Sequence, residues 1–262
     1  MTGFDDLPAP THSATLRSHA LINLIRQTIA KQDGMISFAD YMALVLYHPT
    51  LGYYNAPEFT IGRQGDFTTA PEISPLFARC FARQCQQILA ISNVNTILEL
   101  GPGTGQFACD LLIELERLDA LPQYYYLYEI NEKLQLKQQE KLRSTLPHLY
   151  ERMTWLNALP QQLNGIIIAN EVLDAMPVHC FQVDGATISE RCVGFTDDQF
   201  VWRLGAASPA LHAFVSEQAL PAADQSEINS GLPRFIESLC NSLRTGVILL
   251  ADYGYGQREY YH

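Results

Sequence analysis

A short apolar segment that runs directly into alternating glycines most constrains how this chain can fold. Residues 96–100 have the composition of a buried strand, Gly101, Gly103 and Gly105 follow it, and 107–118 has the pattern of a helix. Glycines between a strand and a helix let the backbone approach a ligand, and the helix N-terminus offers unpaired N–H groups. The pattern predicts a cofactor-binding turn, with a tight turn that holds no ligand as the plainer alternative.

Strands and helices alternate through the second half of the chain. Buried strands are predicted at 124–128, near Trp155, at 165–169 and at 246–251, with helices between several of them. This alternation predicts an α/β fold in which helices cover both faces of a parallel sheet. Residues 178–204 interrupt the pattern with the alternation of a β-meander.

The change in pattern near residue 92 predicts two parts. Residues 1–92 are expected to form a helical cap with a lid loop, because helical spacing dominates 14–32 and Ser37 resembles an N-cap. Residues 93–262 are expected to form the core domain, with an insertion at about 178–245.

The residues around the glycines select among nucleotide cofactors. Gln106 stands where a dinucleotide-binding turn carries its third glycine, and no lysine follows as a phosphate-binding loop requires. Glu99, two residues before the first glycine, is unfavourable near a pyrophosphate and suits the ammonium group of a methionine moiety. The loop from Glu99 to Gly105 therefore predicts S-adenosyl-L-methionine as the cofactor, unless Glu99 is only a solvated acid at a strand end.

Glu129 ends the next predicted strand. A carboxylate at that position can accept hydrogen bonds from both hydroxyls of a ribose, as in dinucleotide-binding folds. Glu129 is therefore a second candidate for binding the cofactor, and an exposed residue that caps the following helix is the alternative.

Composition bears on partners and metals. The chain of 262 residues has 17 basic and 28 acidic residues and a net charge of −11, which disfavours nucleic acid and attracts basic peptides. The six cysteines show no zinc-ligand spacing, so no metal is predicted and the thiols are expected to be free and buried.

The composition at the start of the chain indicates its cellular location. The first 16 residues hold Asp5 and Asp6 and no lysine or arginine, unlike a secretory signal or a transit peptide. No apolar run is long enough to cross a bilayer. These features predict a cytoplasmic protein without membrane insertion.

Four segments together resemble the MidA-like family, which includes a mitochondrial complex I assembly methyltransferase. They are 41–54, 65–74, 99–105 and 170–179. Ala70 departs from the serine of many relatives. The resemblance implies a Rossmann-like class I methyltransferase sheet, S-adenosylmethionine and methylation of an arginine in a protein substrate, such as a respiratory complex subunit. It also implies that Asp66 and Thr68 fold over the cofactor, where a turn-forming Asp66 is the plainer interpretation.

The acceptor residues are predicted after the fourth strand. Carboxylates hold a guanidinium by paired hydrogen bonds, and ligands of open α/β sheets bind at the carboxyl ends of strands. Asn170, Glu171 and Asp174 are therefore the candidate catalytic residues, with Asn170 also near the cofactor. Glu171 and Asp174 are expected one helical turn apart, and an acid pair at a helix N-terminus is the alternative. His179 is a weaker candidate base, since a core or surface histidine fits its position equally.

Two questions stay open at this level. Family members usually continue past the stretch that ends at residue 262, so a sheet without its last two strands is expected, whether the chain is truncated or a short member. A methyltransferase acting on a small molecule, or an assembly factor that binds the cofactor without catalysis, also fits the sequence.

Overall fold

The computed structural model describes residues 9–57, 59–62, 65–217 and 225–256. They divide into two compact units. The parallel unit comprises the described residues of Thr60–Met176 and Gly231–Gly254, and the antiparallel unit those of Met1–Phe59, Pro177–Ser230 and Tyr255–His262.

Helices and strands alternate along the described residues. The α-helices are α1 His12–Lys31, α2 Phe38–Tyr47, α3 Ala70–Ile73, α4 Leu76–Ser92, α5 Gln106–Arg117, α6 Glu132–Thr145, α7 Pro209–Glu217 and α8 Leu232–Ser242. The strands are β1 Met35–Ser37, β2 Thr96–Leu100, β3 Tyr124–Tyr128, β4 Met153–Leu156, β5 Leu163–Asn170, β6 His179–Asp184, β7 Thr187–Thr196, β8 Gln199–Ala206, β9 Gln225–Ile228 and β10 Leu243–Ala251. Short 3-10 helices span Tyr53–Asn55 and Tyr150–Arg152.

The parallel unit contains a five-stranded sheet in the order β10-β5-β2-β3-β4, and every neighbouring pair is parallel. From β2 the chain moves outward through β3 to β4, and it then returns to the other side of β2 through β5 to β10. The strand order therefore reverses between β2 and β5. Ligands of open α/β sheets bind at such a reversal, outside the carboxyl ends of the strands.

Helices pack on both faces of this sheet, as predicted. On one face, α4, α5 and α6 bury apolar side chains against Ile97 of β2, Tyr125 of β3 and Ile166 of β5. On the other face, Leu239 of α8 packs against Leu98 and its neighbours. All five residues of β2 are buried, as expected for a central strand covered on both faces.

The division into units differs from the predicted boundary at residue 92. Helix α4 buries Ala78, Ala82 and Cys85 in the same apolar core as Ile97, so it belongs to the parallel unit. Its amphipathic pattern predicts a helix but does not specify the surface against which that helix packs. The insertion in the parallel unit covers 177–230, shorter than the predicted 178–245.

The antiparallel unit is built around β7. One edge of β7 pairs with β8, and the other pairs with β6 and then with β1. Ile25 and Ile29 of α1 pack with Val193 of β7, which gives the N-terminal helices an apolar surface to cover. The predicted meander is thus confirmed, whereas the pairing of β1 and β9 with it was not predicted.

Of the local predictions, the cap of α2 is confirmed and the burial of the cysteines is confirmed in part. Ser37 accepts a hydrogen bond from the Asp40 N–H and caps α2. All six cysteines are free; four are buried, but Cys80 and Cys240 are exposed, so the expectation of buried thiols is wrong for those two. The described helices include none that is long and apolar enough to cross a membrane.

We predict that Gly165→Ala destabilises the parallel unit. A Cβ atom at Gly165 would lie 2.3 Å from the carbonyl oxygen of Thr96, so β5 and β2 would have to separate at the centre of the sheet. Overpacking of this kind is expected to lower the free energy of unfolding by about 2 kcal/mol, measured by urea denaturation. Gly254→Ala is the control because nothing lies within 4 Å of its Cβ position. Equal stabilities for the two variants would contradict the prediction.

Candidate active site

The glycine turn connects the carboxyl end of β2 to α5. Gly101 and Gly103 have φ angles of 60° and 54°, in the left-handed region that favours glycine. A Cβ atom at Gly103 would lie 3.3 Å from Cδ1 of Ile61, and one at Gly101 would lie 3.0 Å from Cγ2 of Val172. Glycine is therefore required by both the backbone conformation and the close approach of neighbouring side chains.

Side chains distant in sequence fix the shape of this turn. The buried Gln138 of α6 donates from Nε2 to the carbonyl oxygen of Gly103 at 2.8 Å and accepts from Nε1 of Trp155, also at 2.8 Å. The Thr104 hydroxyl donates to the carboxylate of Glu72. Sequence reasoning missed Glu72 and Gln138. The only signal for Gln138 was a polar residue four positions before the buried Leu142 of the same helix.

Glu99 is buried on the face of the sheet that α5 covers. Its side chain is 4% exposed, and its Oε2 accepts a hydrogen bond from the Tyr125 hydroxyl at 2.6 Å. Burial raises the pKa of Glu99 to about 7, an effect that the Tyr125 hydrogen bond opposes and Glu129 reinforces. Glu99 is thus not a solvated acid at a strand end, and within the described part of the chain no cationic side chain pairs with it.

Glu129 lies one strand away and is also buried, with 8% exposure. Its Oε1 accepts from the N–H of Asn131 at 2.8 Å and its Oε2 from Nε2 of Gln138 at 3.3 Å. Asn131, rather than Glu129, caps α6, so the alternative of an exposed capping residue is wrong. Burial raises the pKa of Glu129 as well.

These groups fit S-adenosylmethionine chemically. Two carboxylates to which no described residue supplies a cation lie at the ends of adjacent strands, and buried charges are usually paired. The ammonium group of the cofactor would supply a cation for Glu99, and its ribose hydroxyls would supply donors for Glu129. The left-handed glycines put no side chain of their own between the turn backbone and a ligand.

A second group of acids lies where β5 and β10 end. Asn170 Nδ2 donates to Oε1 of Glu171 at 3.3 Å, and the N–H of Glu171 donates to the Ala251 carbonyl at 2.9 Å. The Tyr253 hydroxyl donates to Oε2 of Glu171 at 3.4 Å. The predicted Asn170 and Glu171 are therefore in contact, and their partners come from the neighbouring strand.

The segment after Glu171 is a turn, so the predicted helical spacing of Glu171 and Asp174 is wrong. Asp252 Oδ2 accepts from the N–H groups of Leu173 at 2.8 Å and Asp174 at 3.2 Å, which replaces helical hydrogen bonding. The alternative of a helix-dipole pair fails for the same reason. Burial raises the pKa of Asp174, and Asp252 and Glu171 raise it further by repulsion. Asp252 and Tyr253 were not predicted as site residues.

Among the described residues, the predicted lid residue Asp66 contacts Thr60 of its own loop. Asp66 Oδ2 accepts from the Thr60 N–H at 3.3 Å, the arrangement expected of a turn-forming aspartate, and Thr68 is exposed. Instead, Ile61 and Glu72 are the residues of this region that reach the glycine turn. Contact of Asp66 and Thr68 with the cofactor stays a prediction.

His179 lies in β6 of the antiparallel unit. Its Nδ1 is 2.6 Å from Oε1 of Glu190 on the neighbouring strand β7. This pairing within a sheet agrees with the structural interpretation of the histidine.

Comparison with known proteins identifies the class. Residues 76–262 match the family of S-adenosyl-L-methionine-dependent methyltransferases. The chain therefore belongs to this family, and the cofactor predicted from the glycine turn is the one that the family uses. A similar solved structure, from Burkholderia thailandensis with S-adenosyl-homocysteine bound, is 35% identical, has a TM-score of 0.91, and is matched over 98% of this chain and 68% of its own.

The chain is also similar to curated proteins that are named for their activity. The mitochondrial protein arginine methyltransferase NDUFAF7 of Danio rerio is 30% identical over 65% of this chain and 45% of its own length. Its counterpart from Bos taurus is 28% identical over 95% of this chain and 61% of its own length. The chain thus spans about half of the first relative and three fifths of the second.

These relatives contradict the predicted cytoplasmic location, because they are named mitochondrial proteins. The prediction depended on the composition of the first 16 residues and on the lack of a long apolar run.

We predict that Glu129→Gln weakens S-adenosyl-homocysteine binding by roughly tenfold. The amide keeps the acceptor for the Asn131 N–H but loses the charge that strengthens hydrogen bonds from ribose hydroxyls, each worth about 1.5–3 kcal/mol. Isothermal titration calorimetry measures the change, and Glu132→Gln, an exposed acid on α6, is the control. A loss below twofold would remove Glu129 from the cofactor site.

Proposed function

We propose that this chain carries the cofactor site and acceptor acids of a methyltransferase that modifies an arginine of a protein substrate. The observation that carries the proposal is the placement of two groups at one edge of a parallel sheet. Glu99 lies near the end of β2, the glycine turn follows β2, and Glu129 follows β3. The acids Glu171, Asp174 and Asp252 follow β5 and β10. The names of the curated relatives support arginine as the acceptor.

At the cofactor site, the side chains bind S-adenosylmethionine and orient it. Glu99 would hold the ammonium group, Glu129 would accept from the ribose hydroxyls, and the glycine turn would lie against the ligand. When bound, S-adenosylmethionine supplies an electrophilic methyl group on its sulfonium. Fixing the acceptor in line with that methyl group is the main contribution that a protein makes to this reaction.

On the acceptor side, the acids suit a guanidinium. The raised pKa of Asp174 reflects burial and repulsion from Asp252 and Glu171, and a bound cation would relieve that repulsion. Carboxylates bind guanidinium by paired hydrogen bonds, and the net charge of −11 attracts a basic peptide. Methylation releases one proton from the attacking nitrogen, which Glu171 or Asp174 can accept.

The proposal is tested by incubating the protein with S-adenosylmethionine carrying a labelled methyl group and with proteins of its host cell. We expect label on an arginine side chain, located by mass spectrometry. Label confined to small molecules would contradict the proposed acceptor. Cofactor binding without any labelled product would favour the non-catalytic alternative. The respiratory complex subunit that the resemblance implies stays a prediction for the same experiment.

We predict that Glu171→Gln and Asp174→Asn bind S-adenosyl-homocysteine within about threefold of the unmodified protein but transfer methyl groups at least tenfold more slowly. Loss of one charge-assisted hydrogen bond to the guanidinium is worth about 1.5–3 kcal/mol and displaces the nucleophile. Paired measurements of affinity and transfer on the identified substrate check this, with the exposed Glu140→Gln as control. Normal transfer by both variants would refute the acceptor role.

A further inference from the structure

We propose that Tyr125 is a positioning residue for cofactor capture, whose buried hydroxyl orients the Glu99 carboxylate and favours its ionised form, ready to receive the cofactor ammonium. This inference rests on the cofactor site of the proposed function and adds a residue and a pH dependence to it. Tyr125 lies inside the sheet's core and is not part of the glycine turn.

The contact between the two side chains is direct and enclosed. Tyr125 is 0% exposed, and its hydroxyl donates to Oε2 of Glu99 at 2.6 Å. Tyr125 pairs with Ile97 across the two strands and Glu99 pairs with Leu127, so the two side chains are diagonal neighbours on one face. A phenylalanine would fill the apolar core equally well. What tyrosine adds to phenylalanine at this position is therefore the hydrogen bond to Glu99, since a buried hydroxyl needs a partner.

Most of the ionisable groups around Glu99 keep one protonation state near neutral pH. Burial and Glu99 raise the pKa of Tyr125 well above its ordinary value, so the phenol stays a donor. Burial raises the pKa of Cys85 to about 12 and that of Cys109 to about 11, the latter despite Lys141. Glu129, whose pKa is also raised by burial, is the other carboxylate that acts on Glu99.

The sign of the pH dependence follows from these directions. With the pKa of Glu99 raised to about 7, the carboxyl group is protonated at lower pH and must release a proton before it can hold an ammonium. Affinity for the cofactor therefore falls as pH falls below that value, by at most tenfold per unit. The Tyr125 hydrogen bond lowers the pKa of Glu99, so removing the hydroxyl moves the fall in affinity to higher pH.

The test measures binding of S-adenosyl-homocysteine and methylthioadenosine from about pH 5.5 to about 8.5, a range in which few ordinary side chains titrate. Methylthioadenosine has the same nucleoside but no ammonium. We expect Tyr125→Phe to weaken S-adenosyl-homocysteine by roughly fivefold at neutral pH, where a larger share of Glu99 would be protonated, and to approach the unmodified protein at the upper limit. Methylthioadenosine binding should be unchanged.

Two controls separate positioning from a structural role. Tyr126→Phe removes a hydroxyl from the opposite face of the same strand and should change neither profile. Glu99→Gln should abolish the proton release that calorimetry in buffers of different ionisation enthalpy detects. An unshifted pH profile for Tyr125→Phe, or equal weakening of both ligands at every pH, would overturn the inference. Failure of the unmodified protein to bind either ligand would instead overturn the cofactor site of the proposed function.

Discussion

The parallel pairing of β2 with both β3 and β5 is the constraint on which the rest of the parallel unit depends. Because β2 is buried on both faces and paired on both edges, its carboxyl end is fixed, and so is the start of the glycine turn that leads to α5. The neighbouring strands end at the same edge of the sheet. This brings Glu129, Asn170 and Asp252 to that edge although they are far apart in the sequence. The site is thus a product of strand order more than of any single motif.

Buried acids set the energetics of this edge. Glu99 and Glu129 lie in low-dielectric surroundings and accept hydrogen bonds, but no cation among the residues that the structure describes pairs with them. Their ionised forms are therefore less stable than in water. A ligand that supplies a cation and hydroxyl donors relieves that penalty, and its binding therefore stabilises the folded unit as well. Asp174, whose pKa is raised by burial and by repulsion from Asp252 and Glu171, would gain in the same way from a cationic acceptor.

Local patterns in the sequence predicted the elements, and long-range contacts decided the rest. Strand and helix positions followed from periodicity, and the glycine turn followed from residue types. The prediction of a helix after β5 is wrong because two acids three positions apart fit a helix locally. In the structure, Asp252, which is distant in sequence, accepts hydrogen bonds from the N–H groups of this segment and holds it as a turn. Glu72, Gln138 and the role of Tyr125 depend on contacts across 26 to 35 positions, which no local pattern specifies.

The bridging position of Gln138 has an optical consequence. Its amide touches the glycine turn and Glu129 through Nε2 and the indole of Trp155 through Oε1. A ligand that alters the hydrogen bond of Gln138 to Gly103 or to Glu129 also alters its hydrogen bond to the indole of Trp155. Tryptophan emission is sensitive to that hydrogen bond. The chain has one other tryptophan, Trp202, which lies in the antiparallel unit. Intrinsic fluorescence of Trp155 is therefore a built-in reporter of what occupies the turn.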